Sequence, residues 1–188
     1  MNLEIEYKFV LDKPISDFIK DLNNKGYKVG SRQYEKTVMY DNQARIMQIT
    51  DGRIRLRTKG EKVSLSYKKP LPAVDGQPKR EIEYETSVGN FDLMHKILGT
   101  MEFTPSSSYE KYRTTARKDE AELTIDEYPY ATFVEIEGEE SLIRELAIEL
   151  GLDISKHLNK PADTLFNEWR KKRGLPQKMY MNFEDYDK

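Results

Sequence analysis

The chain contains no cysteine and only two histidines among its 188 residues. The lack of cysteine excludes disulfides, thiolate catalysis and cysteine-based zinc sites. His95 falls in a predicted short helix and His157 in a predicted loop, so we interpret both as structural or surface residues. No GxxxxGK[ST], GxGxxG or HExxH motif occurs. The phosphate-loop, dinucleotide-binding and zinc-protease functions therefore have no support.

Long apolar runs are also absent, and none approaches the length of a membrane span. The first stretch, "MNLEIEYKFVL", carries Glu4, Glu6 and Lys8, a composition that a secretory signal does not tolerate. We therefore expect a cytoplasmic protein without a membrane partner.

Charge is abundant but nearly balanced, with 31 Lys and Arg against 33 Asp and Glu and a net charge of −2. Charged residues make up 34% of the chain, above the roughly one quarter that is usual. The balance argues against a general basic nucleic-acid binder. An anionic ligand would have to be recognised by a local arrangement of charges.

The patterning predicts one domain over residues 1–175 and a loose tail over 176–188. Alternation of apolar and polar residues predicts strands at 3–11, 27–40, 53–59, 63–69, 79–88, 108–118, 120–128 and 131–138. Helical spacing and capping residues predict helices at 14–26, 91–98, 141–150 and 161–173.

The strand "GRIRLRTKG" places Arg53, Arg55, Arg57 and Lys59 at every second position, so all four share one face. Like charges two residues apart on a strand lie about 7 Å apart and repel by roughly 2 kcal/mol at an effective dielectric constant near 20. This face is therefore either fully solvated or meant to lie against a strongly anionic partner.

The polar faces of the other strands are likewise dense in full charges that are sorted by sign. Seven or eight such strands can close into a barrel, with the apolar faces under helices and the charged faces inside. The predicted fold is thus α+β, a closed antiparallel β-barrel of about eight strands with helices packed outside. Its carboxylates would suit Mg²⁺ or Mn²⁺ better than zinc, and its bases would suit a polyanion.

Several short motifs also occur in the order typical of one protein family. "LEIEYK" fits an opening Glu-x-Glu-x-Lys signature, "RIRLR" an arginine strand and "LSYKK" a lysine strand. "REIEYE" fits an acidic strand, "EKYR" a later Lys-x-Arg, "LTIDEY" an aspartate strand and "VEIE" a final Glu-x-Glu. Over roughly residues 2–170 the sequence resembles the CYTH family, the triphosphate tunnel metalloenzymes. That family folds as an antiparallel barrel that forms a tunnel.

The resemblance implies a role for the charged residues of these motifs. The metal that engages the phosphates would be bound by Glu4, Glu6, Glu135 and Glu137. Asp126, with Glu81 or Glu83, would help to hold a second, water-activating metal. The triphosphate would be bound by Lys8, Arg53, Arg55, Arg57, Lys68, Lys111 and Arg113. The residues expected to act in catalysis are Lys8, Arg57, Lys68 and Asp126.

Two assignments stay open at this point. The inward base of the acidic strand is Lys79 or Arg80, and the late lysine of the family is Lys156 or Lys160.

Three functions are compatible with the resemblance. The favoured one is a metal-dependent triphosphatase that acts on inorganic tripolyphosphate or a related small triphosphate, such as thiamine triphosphate. A class IV-type adenylyl cyclase and a non-catalytic polyphosphate or nucleotide binder are the alternatives. The expected partner is a small triphosphate and not a nucleic acid, and both a monomer and a homodimer are possible.

Overall fold

The computed structural model describes residues 2–72, 79–118 and 120–185. Its strands, in chain order, are β1 (Asn2–Val10), β2 (Lys28–Val29), β3 (Gln33–Asp41), β4 (Arg53–Lys59), β5 (Lys62–Pro70), β6 (Lys79–Val88), β7 (Thr104–Lys118), β8 (Ala121–Glu127), β9 (Thr132–Glu137) and β10 (Tyr180–Met181). Its α-helices are α1 (Ile15–Asn24), α2 (Ile46–Thr50), α3 (Phe91–Thr100), α4 (Glu140–Glu149) and α5 (Ala162–Lys171).

Within these described ranges, eight strands form a closed antiparallel barrel. The order around the barrel is β7-β3-β4-β5-β6-β1-β9-β8, and β8 pairs again with β7. The first strand, β1, lies between β6 and β9, two strands that come much later in the chain. The predicted α+β barrel of about eight strands is confirmed. Because the barrel is closed, each of its eight strands pairs with a neighbour on both sides over at least part of its length.

The apolar faces of the strands point outward and are covered by helices. On one side, Phe18 and Leu22 of α1 and Ile143 of α4 pack against β1, β8 and β9 around Tyr7 and Ile136. Because side chains alternate along a strand, the same pairing that buries these residues turns the charged residues into the barrel interior, or lumen.

The opposite side of the barrel is covered by α3. Leu98 of this helix packs with Leu56 and Tyr40, which are fully or almost fully buried. Asn90 caps the start of α3, since the backbone N–H of Leu93 donates to Asn90 Oδ1 over 2.8 Å. Leu56 therefore faces the helix, as the alternation of the arginine strand predicts.

The predicted strand over 27–40 is instead two strands, β2 and β3. The interruption includes Gly30, whose N–H donates to the Thr115 carbonyl oxygen over 2.8 Å. A Cβ at Gly30 would lie 3.2 Å from that oxygen, so the close approach of β7 favours glycine here. The short helix α2 was not predicted, and Asp41 holds its start by accepting from Met47 N and Gln48 N.

The C-terminal segment is packed against the barrel as far as it is described, in contrast to the expected loose tail over 176–188. Strand β10 pairs in parallel with β7, with Tyr180 opposite Ser108 and Met181 opposite Tyr109. Met181 is buried in an aromatic cluster that includes Phe166 of α5. This segment uses the part of the β7 edge that lies before the pairing with β8 begins.

None of the helices in the described ranges has the length and apolar character needed to cross a membrane.

Candidate active site

The lumen contains a cavity of about 220 Å³ that is lined mainly by charged side chains. The predicted residues that line it are Glu6, Lys8, Arg53, Arg55, Arg57, Lys68, Glu81, Glu83, Lys111, Arg113, Glu135 and Glu137. They come from β1, β4, β5, β6, β7 and β9, and each occupies the inward position of its strand. The structure therefore brings together nearly all of the sequence-predicted site in one cavity.

The arginine strand faces a row of acids on the neighbouring part of the barrel. Arg53 contacts Glu81, and Arg55 Nη2 lies 2.7 Å from Glu83 Oε1. The other oxygen of Glu83 lies 3.0 Å from Lys68 Nζ on β5, which stands between the two strands. Without a ligand the arginine row is thus compensated by internal ion pairs. The sequence-based argument from repulsion was incomplete, because it considered each strand alone.

Glu35 of β3, which sequence reasoning missed, joins three cations on β4 and β7. Its carboxylate lies 3.2 Å from Lys59 Nζ, 3.6 Å from Lys111 Nζ and 3.9 Å from Arg57 Nε. Burial by itself would raise the pKa of Glu35, but these cations and Arg113 outweigh it and lower the pKa to about 2. Glu35 is therefore an ionised acid that holds the bases of the lumen in place.

Asp126 lies at the lumen wall with no exposed surface, and its carboxylate is engaged by cations. Its Oδ1 accepts from Arg113 Nε over 2.6 Å, and its Oδ2 accepts from Arg113 Nη2 over 2.5 Å and Lys111 Nζ over 2.6 Å. Asp126 is outside the group of acids that the geometry offers to a metal. In this arrangement it fixes the two bases of β7, so its predicted role in a second metal site stays a prediction.

Three carboxylates at the junction of β1 and β9 converge in a way that can hold a cation. Oxygens of Glu6, Glu135 and Glu137 all lie within 4.8 Å of one another. Burial, together with the charges of Glu6 and Glu135, raises the pKa of Glu137. An all-carboxylate set in which the acids repel one another fits Mg²⁺ or Mn²⁺, which prefer oxygen ligands.

Lys8 partly balances this acidic group. Its Nζ lies 3.1 Å from Glu135 Oε1 and 4.0 Å from Glu6 Oε1, and it donates to the Lys160 carbonyl oxygen over 3.3 Å. Burial would lower the pKa of Lys8, but Glu135 and Glu6 outweigh it and raise the pKa to about 12. Lys8 therefore stays protonated beside the acidic group.

The remaining predicted residues lie at or beyond the edge of the described site. Glu4 pairs with Glu81 in the strand register, but the side chains of Glu4 and Lys79 are outside the described part of the structure. Arg80 lies opposite Ile5, so its register position is on the outer face of the barrel.

Neither candidate for the late lysine points into the cavity. Lys156 is largely exposed and lies 3.5 Å from Asp153. Lys160 lies 2.5 Å from Glu168 on α5, and only its carbonyl oxygen reaches the site, through Lys8.

The two histidines lie away from the cavity lining that the structure describes. His95 Nδ1 is 2.7 Å from Tyr40 Oη, and His157 Nδ1 is 2.8 Å from the Ile154 carbonyl oxygen. Both make contacts typical of structural residues, in agreement with the prediction.

Two aromatic residues and the start of α5 also line the cavity, and sequence reasoning missed them. Tyr109 faces the cavity from β7 and Tyr128 from the residue that follows β8. Pro161, Ala162 and Asp163 approach it from the N-terminal end of α5. Tyr109 stands two residues before Lys111, on the same face of β7. The period of two that identified Lys111 and Arg113 could have identified this tyrosine.

Comparison with known proteins adds an independent finding. The CYTH domain profile matches residues 2–165. A proposed adenylate cyclase of Methanocaldococcus jannaschii is 24% identical over 177 residues, which cover 92% of this chain and 99% of that protein.

Solved structures with a similar fold come from several organisms. A proposed adenylate cyclase of Vibrio parahaemolyticus superposes with a TM-score of 0.74 at 17% identity, over 88% of this chain and 98% of that one. A conserved protein of Pyrococcus furiosus gives 0.71 at 20% identity, over 85% and 97%. A proposed adenylyl cyclase from Hippeastrum, which is described as having a dominant triphosphatase activity, gives 0.62 at 17% identity, over 94% and 97%. At these identities the structures share the barrel fold with this chain.

Proposed function

Because this chain belongs to the CYTH domain family, whose proteins act on triphosphates, we propose that it is a metal-dependent triphosphatase. Its substrate would be inorganic tripolyphosphate or a related small triphosphate, such as thiamine triphosphate or a nucleoside triphosphate. The observation that carries the proposal is the concentration of cations around one cavity, next to three converging carboxylates. A triphosphate with bound metal matches both halves of this charge distribution.

The bases would bind the phosphate chain by exchanging internal partners for phosphate oxygens. Arg55 and Lys68 share Glu83. Both line the cavity, so each could turn toward a more highly charged anion bound there. Arginine offers two parallel N–H donors to a phosphate, whereas lysine acts as a compact charge. Arg57, Lys111 and Arg113 would extend the same cradle, with Arg53 at its edge.

Glu6, Glu135 and Glu137 would hold Mg²⁺ or Mn²⁺, with Glu4 as a further ligand on the same strand as Glu6. A bound metal would neutralise phosphate charge and polarise the phosphoryl group. Lys8, 3.1 Å from Glu135, would then place a protonated amine beside the same phosphate oxygens and stabilise the charge that develops during bond cleavage.

Asp126 would act through its neighbours. By engaging both Lys111 and Arg113, it keeps their charged groups at the lumen wall before the substrate arrives. Such preorganisation reduces the reorganisation needed in the transition state.

An adenylyl cyclase is the second candidate. The names of the relatives from Methanocaldococcus jannaschii and Vibrio parahaemolyticus favour it, while the protein from Hippeastrum combines such a name with a dominant triphosphatase activity.

A substrate panel tests the two activities side by side. The purified chain would be incubated with tripolyphosphate, thiamine triphosphate or ATP, with Mg²⁺ or Mn²⁺, and phosphate and cyclic AMP would be measured separately. We expect phosphate release that requires metal and is lost in Glu6→Gln, with the fold intact. Cyclic AMP as the main product from ATP would favour the cyclase, and full activity of Glu6→Gln would contradict the metal assignment.

A further inference from the structure

Tyr109 occupies a position in the lumen that the charged motifs do not explain. In the strand register it lies opposite Thr37, which in turn lies opposite Arg57. The guanidinium of Arg57 spans this row: its Nε donates to Thr37 Oγ1 over 3.2 Å, and its Nη2 donates to Tyr109 Oη over 3.5 Å. The tyrosine hydroxyl therefore contacts the far end of a predicted phosphate-binding arginine.

The backbone of Tyr109 is held from both sides. Strand β3 pairs with one edge through Thr37, and Met181 of β10 pairs with the other. The Tyr109 ring lies 5.9 Å from the Tyr128 ring, measured between centroids. The β10 support lies outside residues 2–165, the part that matches the CYTH domain profile.

The charges around Tyr109 are predominantly positive. The elements packed around this part of the lumen present Arg55 and Arg57 from β4, Lys111 from β7, Glu35 from β3, Tyr128 from just after β8 and Asp163 from α5. Burial would raise the pKa of Tyr109, but Arg57, Arg55 and Lys111 outweigh it and lower the pKa to about 7. The hydroxyl thus has a strong acceptor character toward Arg57.

We infer that Tyr109 is a positioning residue, whose hydroxyl sets the place and direction of the Arg57 guanidinium against the bound triphosphate. This inference rests on the proposed function, because it takes Arg57 as a phosphate-binding residue. A polyanion that binds these cations would disfavour a negative charge on Tyr109. At and above neutral pH, binding would therefore be accompanied by uptake of up to one proton from solvent at Tyr109 Oη.

The test compares the wild type with Tyr109→Phe, which keeps the ring and removes the hydroxyl. Tyr84→Phe, on the exposed outer face of β6, is the matched control. Ultraviolet difference absorbance would follow tyrosinate formation against pH, with and without tripolyphosphate and metal. Steady-state kinetics would give kcat and KM over the same pH range, and thermal unfolding would confirm that each variant folds.

We expect one tyrosinate that forms near neutral pH in the wild type and in Tyr84→Phe, and that is missing in Tyr109→Phe. Tripolyphosphate should move its midpoint to higher pH. Tyr109→Phe should lower kcat by roughly 10-fold, with a smaller change in KM, since a hydrogen bond to a charged group is lost. Its pH profile of kcat/KM should be flatter around neutrality. Because the ligand is the same in both proteins, its own titration cancels in the comparison.

A neutral-range tyrosinate signal shared by wild type and Tyr109→Phe, or identical pH profiles and kcat values, would overturn the role of Tyr109 and leave the triphosphatase proposal standing. Failure of the wild type to hydrolyse any triphosphate would instead remove the proposed function, and with it this inference. The two failures are therefore distinguishable.

Discussion

The most informative perturbation of the ligand-free lumen is Glu35→Gln, which removes one negative charge among three cations. Glu35 is 1% exposed, and its pKa is lowered from the ordinary 4.5 to about 2. At about 1.4 kcal/mol per pKa unit, this shift corresponds to about 3 kcal/mol of stability. Removing one partner of a buried ion pair typically costs about 3–5 kcal/mol, so two independent arguments give the same order of magnitude.

Urea unfolding at neutral pH without ligand would measure this loss. Glu61→Gln, the same substitution on the exposed turn between β4 and β5, should change the free energy of unfolding by less than about 0.5 kcal/mol. The contribution of Glu35 is fully present above its unfolded pKa near 4.5 and is lost as pH falls through about 2. The difference between wild type and Glu35→Gln should therefore shrink over this pH interval.

Ligand binding gives the same variant a second, opposite signature. Glu35→Gln leaves Lys59, Lys111 and Arg57 with less compensation, and a bound polyanion would neutralise them. Tripolyphosphate with Mg²⁺ should consequently stabilise Glu35→Gln by more than it stabilises the wild type. Equal stability of the two proteins at neutral pH, or a smaller gain for the variant at saturating ligand, would refute the reasoning.

Three further predictions address other parts of the site and the fold. Arg57→Ala should lower kcat/KM about 100-fold or more, because a charge-assisted contact to phosphate is lost. Arg117→Ala, at the exposed end of β7, should leave steady-state kinetics unchanged. Similar kinetics in both variants would contradict a phosphate contact of Arg57. Glu137→Gln should raise the unfolding temperature in the presence of chelator, since it removes repulsion between buried carboxylates, and should weaken the stabilisation by Mn²⁺; an undiminished Mn²⁺ effect would count against the metal site. In a urea titration, Met181→Ala should lower the free energy of unfolding by about 2 kcal/mol or more. Met179→Ala, at an exposed position, should have little effect. Equal effects of the two substitutions would contradict the packing of β10.

The inward residues of the arginine strand could be predicted because charge and position vary together there. Arg55 and Arg57 alternate with Ile54 and Leu56, so a period of two separates the lumen from the helix-covered face. The same rule placed Glu6 and Lys8 correctly in the lumen. For these strands the fold and the site follow from one pattern.

On strand β3, charge and inward position do not vary together, and Glu35 was therefore missed. Its outward positions include the half-exposed Tyr34, while Thr37 and Met39 occupy inward positions without carrying a charge. The pattern therefore does not reveal that Glu35 faces inward. Its importance depends on the cations that β4 and β7 bring to it, and strand register is set by closure of the whole barrel.

The ion pairs across the lumen were unpredictable for a related reason. Arg53 and Glu81 are separated by a strand, and which acid meets which base depends on tilt and stagger around the barrel. The packed C-terminal segment was missed because a two-residue strand with one buried methionine has no periodic signal. Met181 is fixed by an edge of β7 that becomes available only in the folded barrel.

The position of β1 between β6 and β9 also determines when the barrel can form during synthesis of the chain. Strand β1 cannot complete its pairing until a segment more than a hundred residues later in the chain has been synthesised, as the register of Lys8 with Glu135 shows. Such non-local pairing slows folding, because a large loop must close before its contacts form. The carboxylates of Glu6 and Glu137 therefore cannot meet before β9 has been synthesised, so a shorter nascent chain does not yet possess the cluster formed by Glu6, Glu135 and Glu137.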